Sequence, residues 1–348
     1  MGLPNVGKST LFNAILKKQQ AFVANYPFAT IEPNVGVVPV PDDRLKKLAE
    51  VEKAENNMTD LPPIKPATVS FVDIAGLVKG AAEGEGLGNK FLSHIREVDA
   101  ICHVLRFFKD TDVTHVSGEV SPESDAKIVN MELIFADLQT IQNSKSRQEK
   151  LKAGVKGWKE GLEKLEKALN LGILAKDADL NEDEKEATRD LHLLTAKPMF
   201  YAANVDEVDL GKHFGEDMIT VSAKTEAELV ILSEEEQKDY LADLGVLESG
   251  LERIIKKGYK ILDLISFLTA GEKEVRAWTI KRGTSAQNAA GVIHTDFIKG
   301  FIKAETVSFQ DFVDNNGWKG CRNSGKTRFE GKDYTVKDGE VIEFKINA

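Results

Sequence analysis

Apolar positions recur along the chain with two periods. The β-branched and apolar runs Val35-Gly36-Val37-Val38-Pro39-Val40, Thr68-Val69-Ser70-Phe71-Val72, Ala100-Ile101-Cys102-His103-Val104-Leu105, Pro198-Met199-Phe200-Tyr201-Ala202-Ala203 and Ile219-Thr220-Val221 predict strands. Thr10 to Leu16 reads as an amphipathic helix. Between Phe108 and Pro198 the pattern turns helical, with Ile128, Leu133, Ile134, Leu138 and Ile141 at helix-like spacing. Asn181-Glu182-Asp183-Glu184 then supplies a cap-like start for a returning helix. The spacing therefore predicts an antiparallel helical hairpin inserted into an α/β part. From about Phe267 the texture changes again: Val275 to Ile280 as a strand, Ser285 to Ile293 as a helix, and strands at Tyr334-Thr335-Val336 and Val341-Ile342-Glu343-Phe344 around an Asp338-Gly339 turn. Composition alone makes this tail a small α+β module.

The 348 residues can bury two or three hydrophobic cores, and hydrophobic residues at 42% with charged residues at 29% are ordinary for a globular protein. No apolar run approaches the roughly 20 residues of a membrane span. Met1 is followed by glycine, proline and lysine without the charged head and apolar core of a signal peptide, so export is not expected and a cytoplasmic location is. Cys102 and Cys321 have no metal-ligand partner nearby in sequence and suit a reducing compartment. A net charge of -10 argues against holding nucleic acid by bulk charge, so no DNA partner is expected and any RNA contact must be local. One local exception is Lys145 to Lys159, with six basic residues against one acidic. It reads either as a solvated helix face or as an RNA-facing arm with Trp158 available for stacking.

The chemistry is concentrated at the start. Gly2-Leu3-Pro4-Asn5-Val6-Gly7-Lys8-Ser9 fits G-x-x-x-x-G-K-[ST] at every fixed position and runs into the Thr10 helix. In such a loop, the backbone N–H groups of Asn5, Val6, Gly7, Lys8, Ser9 and Thr10 cradle phosphate, Lys8 reaches the outer phosphates, and the Ser9 hydroxyl ligates magnesium. A buried strand normally carries this loop, yet only Met1 precedes Gly2 here, so the first strand is expected to be missing through a late-called start.

Further motifs follow in the order a nucleotide switch requires. Asp73-Ile74-Ala75-Gly76 closes a predicted strand as D-x-x-G, where the aspartate holds magnesium through water and the Gly76 N–H senses the γ-phosphate. Thr30, in Asn25-Tyr26-Pro27-Phe28-Ala29-Thr30, stands where the first switch would lie and is the expected second magnesium ligand. Leu77 occupies the position of the water-orienting glutamine, so another group must act or unstimulated hydrolysis must be slow; His103 and His115 are the nearest histidines. Asn204-Val205-Asp206-Glu207 replaces N-K-x-D: the lysine stem that packs on guanine is valine, and the aspartate that reads its edge is glutamate. Guanine selectivity should be lost and ATP accepted. Ser222-Ala223-Lys224 is the S-A-K loop that closes over the base.

Gly2 through Phe12, Asn25-Tyr26-Pro27-Phe28, Asp73 to Leu77, Gly84-Glu85-Gly86-Leu87-Gly88-Asn89 and Asn204 to Glu207 together resemble the YchF or Obg-like ATPase family nearly end to end. The resemblance implies a P-loop NTPase domain over 1–122 and 196–265, a helical (coiled-coil) hairpin over 123–195 and a β-grasp TGS domain over 266–348. It further implies magnesium-dependent ATP hydrolysis, association with the ribosome or its RNA, adenine contacts from Asn204 and the Val205 backbone, and His115 as a candidate water-positioning residue. Two competing readings are an Obg-type GTPase and a nucleotide-gated ribosome-binding module with vestigial hydrolysis.

Overall fold

The computed structural model describes residues 1–25, 34–73, 95–110, 121–152, 154–215 and 217–347. By internal contacts the chain divides into two units, Met1–Gly36 with Phe71–Ile254, and Val37–Ser70 with Ile255–Ala348.

In the first unit, helix α1 (Lys8–Asn25) follows the opening loop. It buries Leu11, Phe12, Ala14 and Ile15, the apolar face of the predicted helix. Strands β1 (Val35–Pro39) and β3 (Thr68–Val72), three of whose five residues each fall in the second unit, pair as a two-stranded sheet. Strands β4 (Ile101–Arg106), β5 (Met199–Asn204) and β6 (Met218–Val221) form a parallel sheet, in register from Ile101 opposite Met199 to Arg106 opposite Asn204, and from Tyr201 opposite Met218 to Asn204 opposite Val221. Both β4 and β5 are buried at nearly every position, which is why they read as continuous apolar runs rather than alternating ones. Between β4 and β5 lie helices α3 (Pro122–Lys152), α4 (Trp158–Asn170) and α5 (Glu182–Thr188). They pack around Ile134, Ile141, Trp158, Leu162, Leu165 and Leu169. Helix α5 starts with the expected capping box: Asn181 Oδ1 accepts the Glu184 N–H and a Glu184 carboxylate oxygen accepts the Asn181 N–H, both at 2.9 Å. After β6 come α6 (Ala223–Leu229), α7 (Glu234–Asp243) and α8 (Gly250–Ile261).

The second unit holds a six-stranded sheet in the order β10-β9-β11-β7-β8-β2. Strands β7 (Leu264–Gly271) and β8 (Glu274–Lys281) pair antiparallel, and β11 (Glu340–Ile346) runs parallel to β7 and antiparallel to β9 (Phe301–Ser308). Strand β10 (Arg328–Glu330) closes one edge, and β2 (Ile64–Lys65) joins β8 in parallel at the other. Helix α9 (Ala286–Ile293), capped by Ser285, buries Ala286 and Ala289 among Ile265, Phe267, Ile280, Ala304 and Ile342. Helix α2 (Arg44–Glu55) packs on β7 and β8 through its buried side, Leu45, Leu48 and Ala49. The short helices α10 (Asp296–Gly300), α11 (Phe309–Asp314) and α12 (Trp318–Asn323) complete the unit.

Three expectations change. Residues 37–70, expected in the nucleotide-binding part, group with the tail, because α2 buries its apolar side on β7 and β8 and β2 extends their sheet. Helices α3 to α5 group with the parallel sheet rather than as a unit of their own. The expected strand at Tyr334-Thr335-Val336 is a single bridge from Thr335 to Ser285, since its backbone groups are taken by the turn before α9: Tyr334 O accepts the Ala286 N–H and the Val336 N–H donates to Thr284 O.

Candidate functional site

The opening loop is built on the edge of β4. Met1 pairs there as a single strand-like residue: its α-ammonium donates to Cys102 O and its carbonyl accepts the Val104 N–H, both at 2.8 Å. Burial holds that ammonium below its ordinary pKa. The loop then crosses close to the strand, and a Cβ at Gly2 would collide with the Val104 carbonyl. Asn5 takes a left-handed conformation, φ 62°, and Gly7 another, φ 92°. The α-helical ladder begins with the Leu11 N–H donating to Gly7 O at 3.0 Å. The first N–H groups of α1 accordingly have no acceptor within the helix, which makes its start an anion site.

Side chains at that start are arranged for phosphate and a hard cation. Ser9 and Thr10 are exposed. Lys8 Nζ donates to Leu3 O at 2.6 Å, across its own loop. Burial lowers the Lys8 pKa, and the charge of Asp73 opposes that effect. Asp73 sits just beyond β3, its N–H donating to Asn34 O at 2.9 Å. The D-x-x-G segment therefore begins within electrostatic reach of the P-loop lysine. Thr30, Gly76, Leu77 and His115 lie outside the described residues.

Asn204, the last residue of β5, ties the base-side loops together. It is 4% exposed, its Nδ2 donates to Val6 O and its Oδ1 accepts the Ala223 N–H, each at 2.9 Å. The phosphate loop and the S-A-K loop are thereby bolted to one carboxamide, which keeps one N–H and one lone pair for other partners. This contact also explains Gly7, where a Cβ would strike Asn204 Nδ2. Ser222 is buried and caps α6, its Oγ accepting from the Thr225 N–H and hydroxyl at 3.3 and 3.0 Å. The Ser222 hydroxyl thus shapes the loop, while Ala223 contributes its backbone N–H.

The rest of the N-V-D-E corner departs from a guanine reader in a specific way. Val205 is 3% exposed and belongs to an apolar cluster with Ala203 and Leu210, and its N–H completes the sheet by donating to Val221 O at 2.8 Å. Asp206 accepts the Lys109 N–H at 3.2 Å. The Glu207 carboxylate accepts the Tyr240 hydroxyl at 2.8 Å. The sequence contained no signal for this last contact: Tyr240 lies 33 residues away, on a helix whose partner could not be read.

Two residues whose role the sequence left open lie in the core. His103 is fully buried on β4 against the Tyr201 ring, and burial pushes its pKa down to about 3, so it is a neutral core residue rather than a catalytic base. Trp158 is 5% exposed within the α3–α5 core and is unavailable for stacking on RNA. Lys145 pairs with Glu166, and Lys156 with Asp183, so part of the basic stretch is neutralised by neighbouring acids. Among the described residues no group of three or more His, Cys, Asp or Glu could hold a metal ion, and none of their helices is long and apolar enough to cross a membrane.

A G-x-x-x-x-G-K-S loop feeding a helix beside a parallel sheet, locked to an asparagine at the end of a neighbouring strand, defines a P-loop nucleotide-binding protein of the GTPase type. Consistent with that class, a family model described as "50S ribosome-binding GTPase" matches residues 1–135. The C-terminal model of the YchF GTPases, described as a protein of unknown function, matches residues 264–347. The chain is 47% identical over 368 residues to "Ribosome-binding ATPase YchF" of Bacillus subtilis (strain 168) and 49% identical over 365 residues to the protein so named in Escherichia coli O157:H7; each match spans 100% of this chain and 98% of the relative. Among solved structures, that of the Schizosaccharomyces pombe YchF GTPase superposes with a TM-score of 0.86 at 38% identity, covering 99% of this chain and 96% of the other. The chain belongs to the YchF family.

Proposed function

We propose that this protein is a magnesium-dependent ATP hydrolase that works as a nucleotide-controlled switch on the ribosome, in the cytoplasm. The observation that carries the reading is the N-V-D-E corner. Asn204 clamps the two loops a nucleotide site needs, while Val205 is packed into an apolar cluster and Glu207 is tied to Tyr240. Neither replacement offers a guanine base what lysine and aspartate offer it, so discrimination against adenine should be lost. The relatives named ribosome-binding ATPases support both the substrate and the partner.

In this reading the N–H groups of residues 5 to 10 and the Lys8 ammonium, released from Leu3 O, stabilise charge on the outer phosphates. Magnesium fits the donors present: the exposed Ser9 hydroxyl and the Asp73 carboxylate are hard oxygen ligands flanking the loop, a sparse protein set of the kind that leaves room for waters and phosphate oxygens. When bound, the ion would neutralise charge between the β- and γ-phosphates. Thr30 is assigned the second ligand position, Gly76 the γ-phosphate sensor and His115 the water-positioning role, with Leu77 leaving unstimulated turnover slow. Topology supports the remaining parts: β11 parallel beside β7 in a mixed sheet crossed by α9 suits a β-grasp TGS domain, and α3 with α4 suits a helical hairpin, both acting as binding surfaces.

Phosphate release from ATP and GTP, with and without ribosomes, tests the proposal. It predicts slow ATP turnover that ribosomes accelerate, and a kcat/KM for ATP above that for GTP. Faster GTP turnover identifies an Obg-type GTPase instead, and turnover unchanged by ribosomes identifies a binding module with vestigial hydrolysis.

A further inference from the structure

The fourth residue of the N-V-D-E corner does not stand free. Tyr240, on α7, donates its hydroxyl to Glu207 Oε1 at 2.8 Å, and the same hydroxyl lies 3.3 Å from Glu228 Oε2 on α6. The two carboxylates come from the two segments that bound the base side of the site. Glu207 follows Asn204 by three residues, and Glu228 rides on the helix whose first N–H, at Ala223, is bonded to Asn204. The single hydroxyl proton is committed to Glu207, the nearer acceptor, so the Glu207 segment is anchored to α7 from outside while Asn204 holds it from within.

Recognition of guanine requires two oxygens. The guanine edge presents two adjacent N–H donors, which a carboxylate meets bidentately; the adenine edge presents one amino donor beside a ring-nitrogen lone pair, which repels a second carboxylate oxygen. A carboxylate anchored through one oxygen to a hydroxyl is held in one orientation, and presenting both oxygens to guanine's pair requires it to leave that bond, whereas adenine's single donor needs one oxygen only.

We propose that Tyr240 is a specificity-positioning residue, whose hydroxyl anchors the Glu207 carboxylate in one orientation and so opposes its use as a bidentate guanine reader. This inference rests on the ATP-preferring reading above and adds to it the group that enforces the preference. The hydroxyl is a permanent donor: its hydrogen bond to Glu207 pushes the Tyr240 pKa up to about 12, so it stays protonated wherever the protein is folded and active.

The test is the ratio of dissociation constants for fluorescent GTP and ATP analogues with magnesium, measured on the full chain. Tyr240→Phe should lower the GTP-to-ATP ratio of Kd about tenfold, chiefly through tighter GTP binding. Tyr240→Leu also removes the hydroxyl and should shift the ratio in the same direction, which keeps the test alive if Tyr240→Phe folds poorly. In a Glu207→Gln background, where no carboxylate remains to be freed, Tyr240→Phe should leave the ratio within twofold; a purely structural role would move both affinities together in either background. Wild-type protein that prefers ATP, with a ratio unmoved by Tyr240→Phe, overturns this inference alone. A shift that persists in Glu207→Gln also overturns it. Wild-type protein with no ATP preference overturns the proposed function and this inference with it.

Discussion

Replacing Asn204 by alanine removes the bolt between the phosphate loop and the S-A-K loop. The side chain is 4% exposed and makes two hydrogen bonds of 2.9 Å, and its removal strands the Val6 carbonyl and the Ala223 N–H, on residues 1% and 5% exposed. A buried polar group left without a partner costs about 1–3 kcal/mol, so the pair amounts to roughly 2–6 kcal/mol. Much of that loss is local: the loops are no longer fixed before nucleotide arrives, and binding must order them. ATP affinity should fall by about 10²-fold, near 2.7 kcal/mol, in an equilibrium titration with a fluorescent ATP analogue. Gly7 provides a second readout. Alanine there collides with Asn204 Nδ2 and also takes on a φ of 92°, the latter costing about 1–2 kcal/mol. With Asn204→Ala already in place only the backbone cost remains, so the two substitutions should be less than additive by at least about 1 kcal/mol. An Asn204→Ala protein that binds ATP within threefold of wild type, or strict additivity with Gly7→Ala, refutes the clamp.

Three other outcomes follow from the described contacts. Ser9→Ala should weaken ATP binding about tenfold in the presence of magnesium and leave magnesium-free binding unchanged; equal loss in both conditions contradicts the assignment of Ser9 as a metal ligand. Asp137 accepts the N–H groups of Leu194 and Thr195 at 2.7 and 2.8 Å and the Thr195 hydroxyl at 2.6 Å, in full burial, so Asp137→Ala should destabilise the first unit by roughly 3–5 kcal/mol in thermal unfolding. A shift in melting temperature of less than about 3 °C would be too small for that role. Glu52, 2% exposed on α2, has its pKa pushed up from 4.5 to about 7 by burial and by the like charges of Glu55 and Glu272. Its folded form holds a proton more tightly than the unfolded chain does, so stability is fullest below about pH 4.5 and is lost as pH rises through 7, by at most about 3 kcal/mol. Glu52→Gln should remove that slope and be the more stable protein at pH 8; an unchanged slope in urea unfolding between pH 5 and 8 rules Glu52 out as its source.

What could be read in advance divides along the distance over which each constraint acts. The loop from Gly2 to Ser9 was legible because backbone approach to phosphate restricts residue type at fixed spacing, and Gly7 proves to be required by its neighbour Asn204 as well as by its own φ. Strands β4 and β5 were legible because burial on both faces leaves unbroken apolar runs, and α5 because its cap lies within four residues. Helix α2 shows the opposite case. Leu45, Leu48 and Ala49 declare that the helix has a buried side but not what covers it, and β7 and β8 lie more than two hundred residues away. Trp158 was left open between two readings for a different reason. The basic residues around it suit a solvated face as well as an RNA-facing one, whereas the spacing of Trp158, Leu162, Leu165 and Leu169 is that of a buried helix face. The Tyr240 to Glu207 bond had no local signature, since one hydroxyl and one carboxylate 33 residues apart occur in any chain.

The central claim is that the altered base-reading corner selects ATP. Equilibrium binding of fluorescent ATP and GTP analogues to the wild-type chain, with magnesium, tests it directly. The account predicts tighter ATP binding by at least tenfold, about 1.4 kcal/mol; equal affinities, or tighter GTP binding, would contradict it.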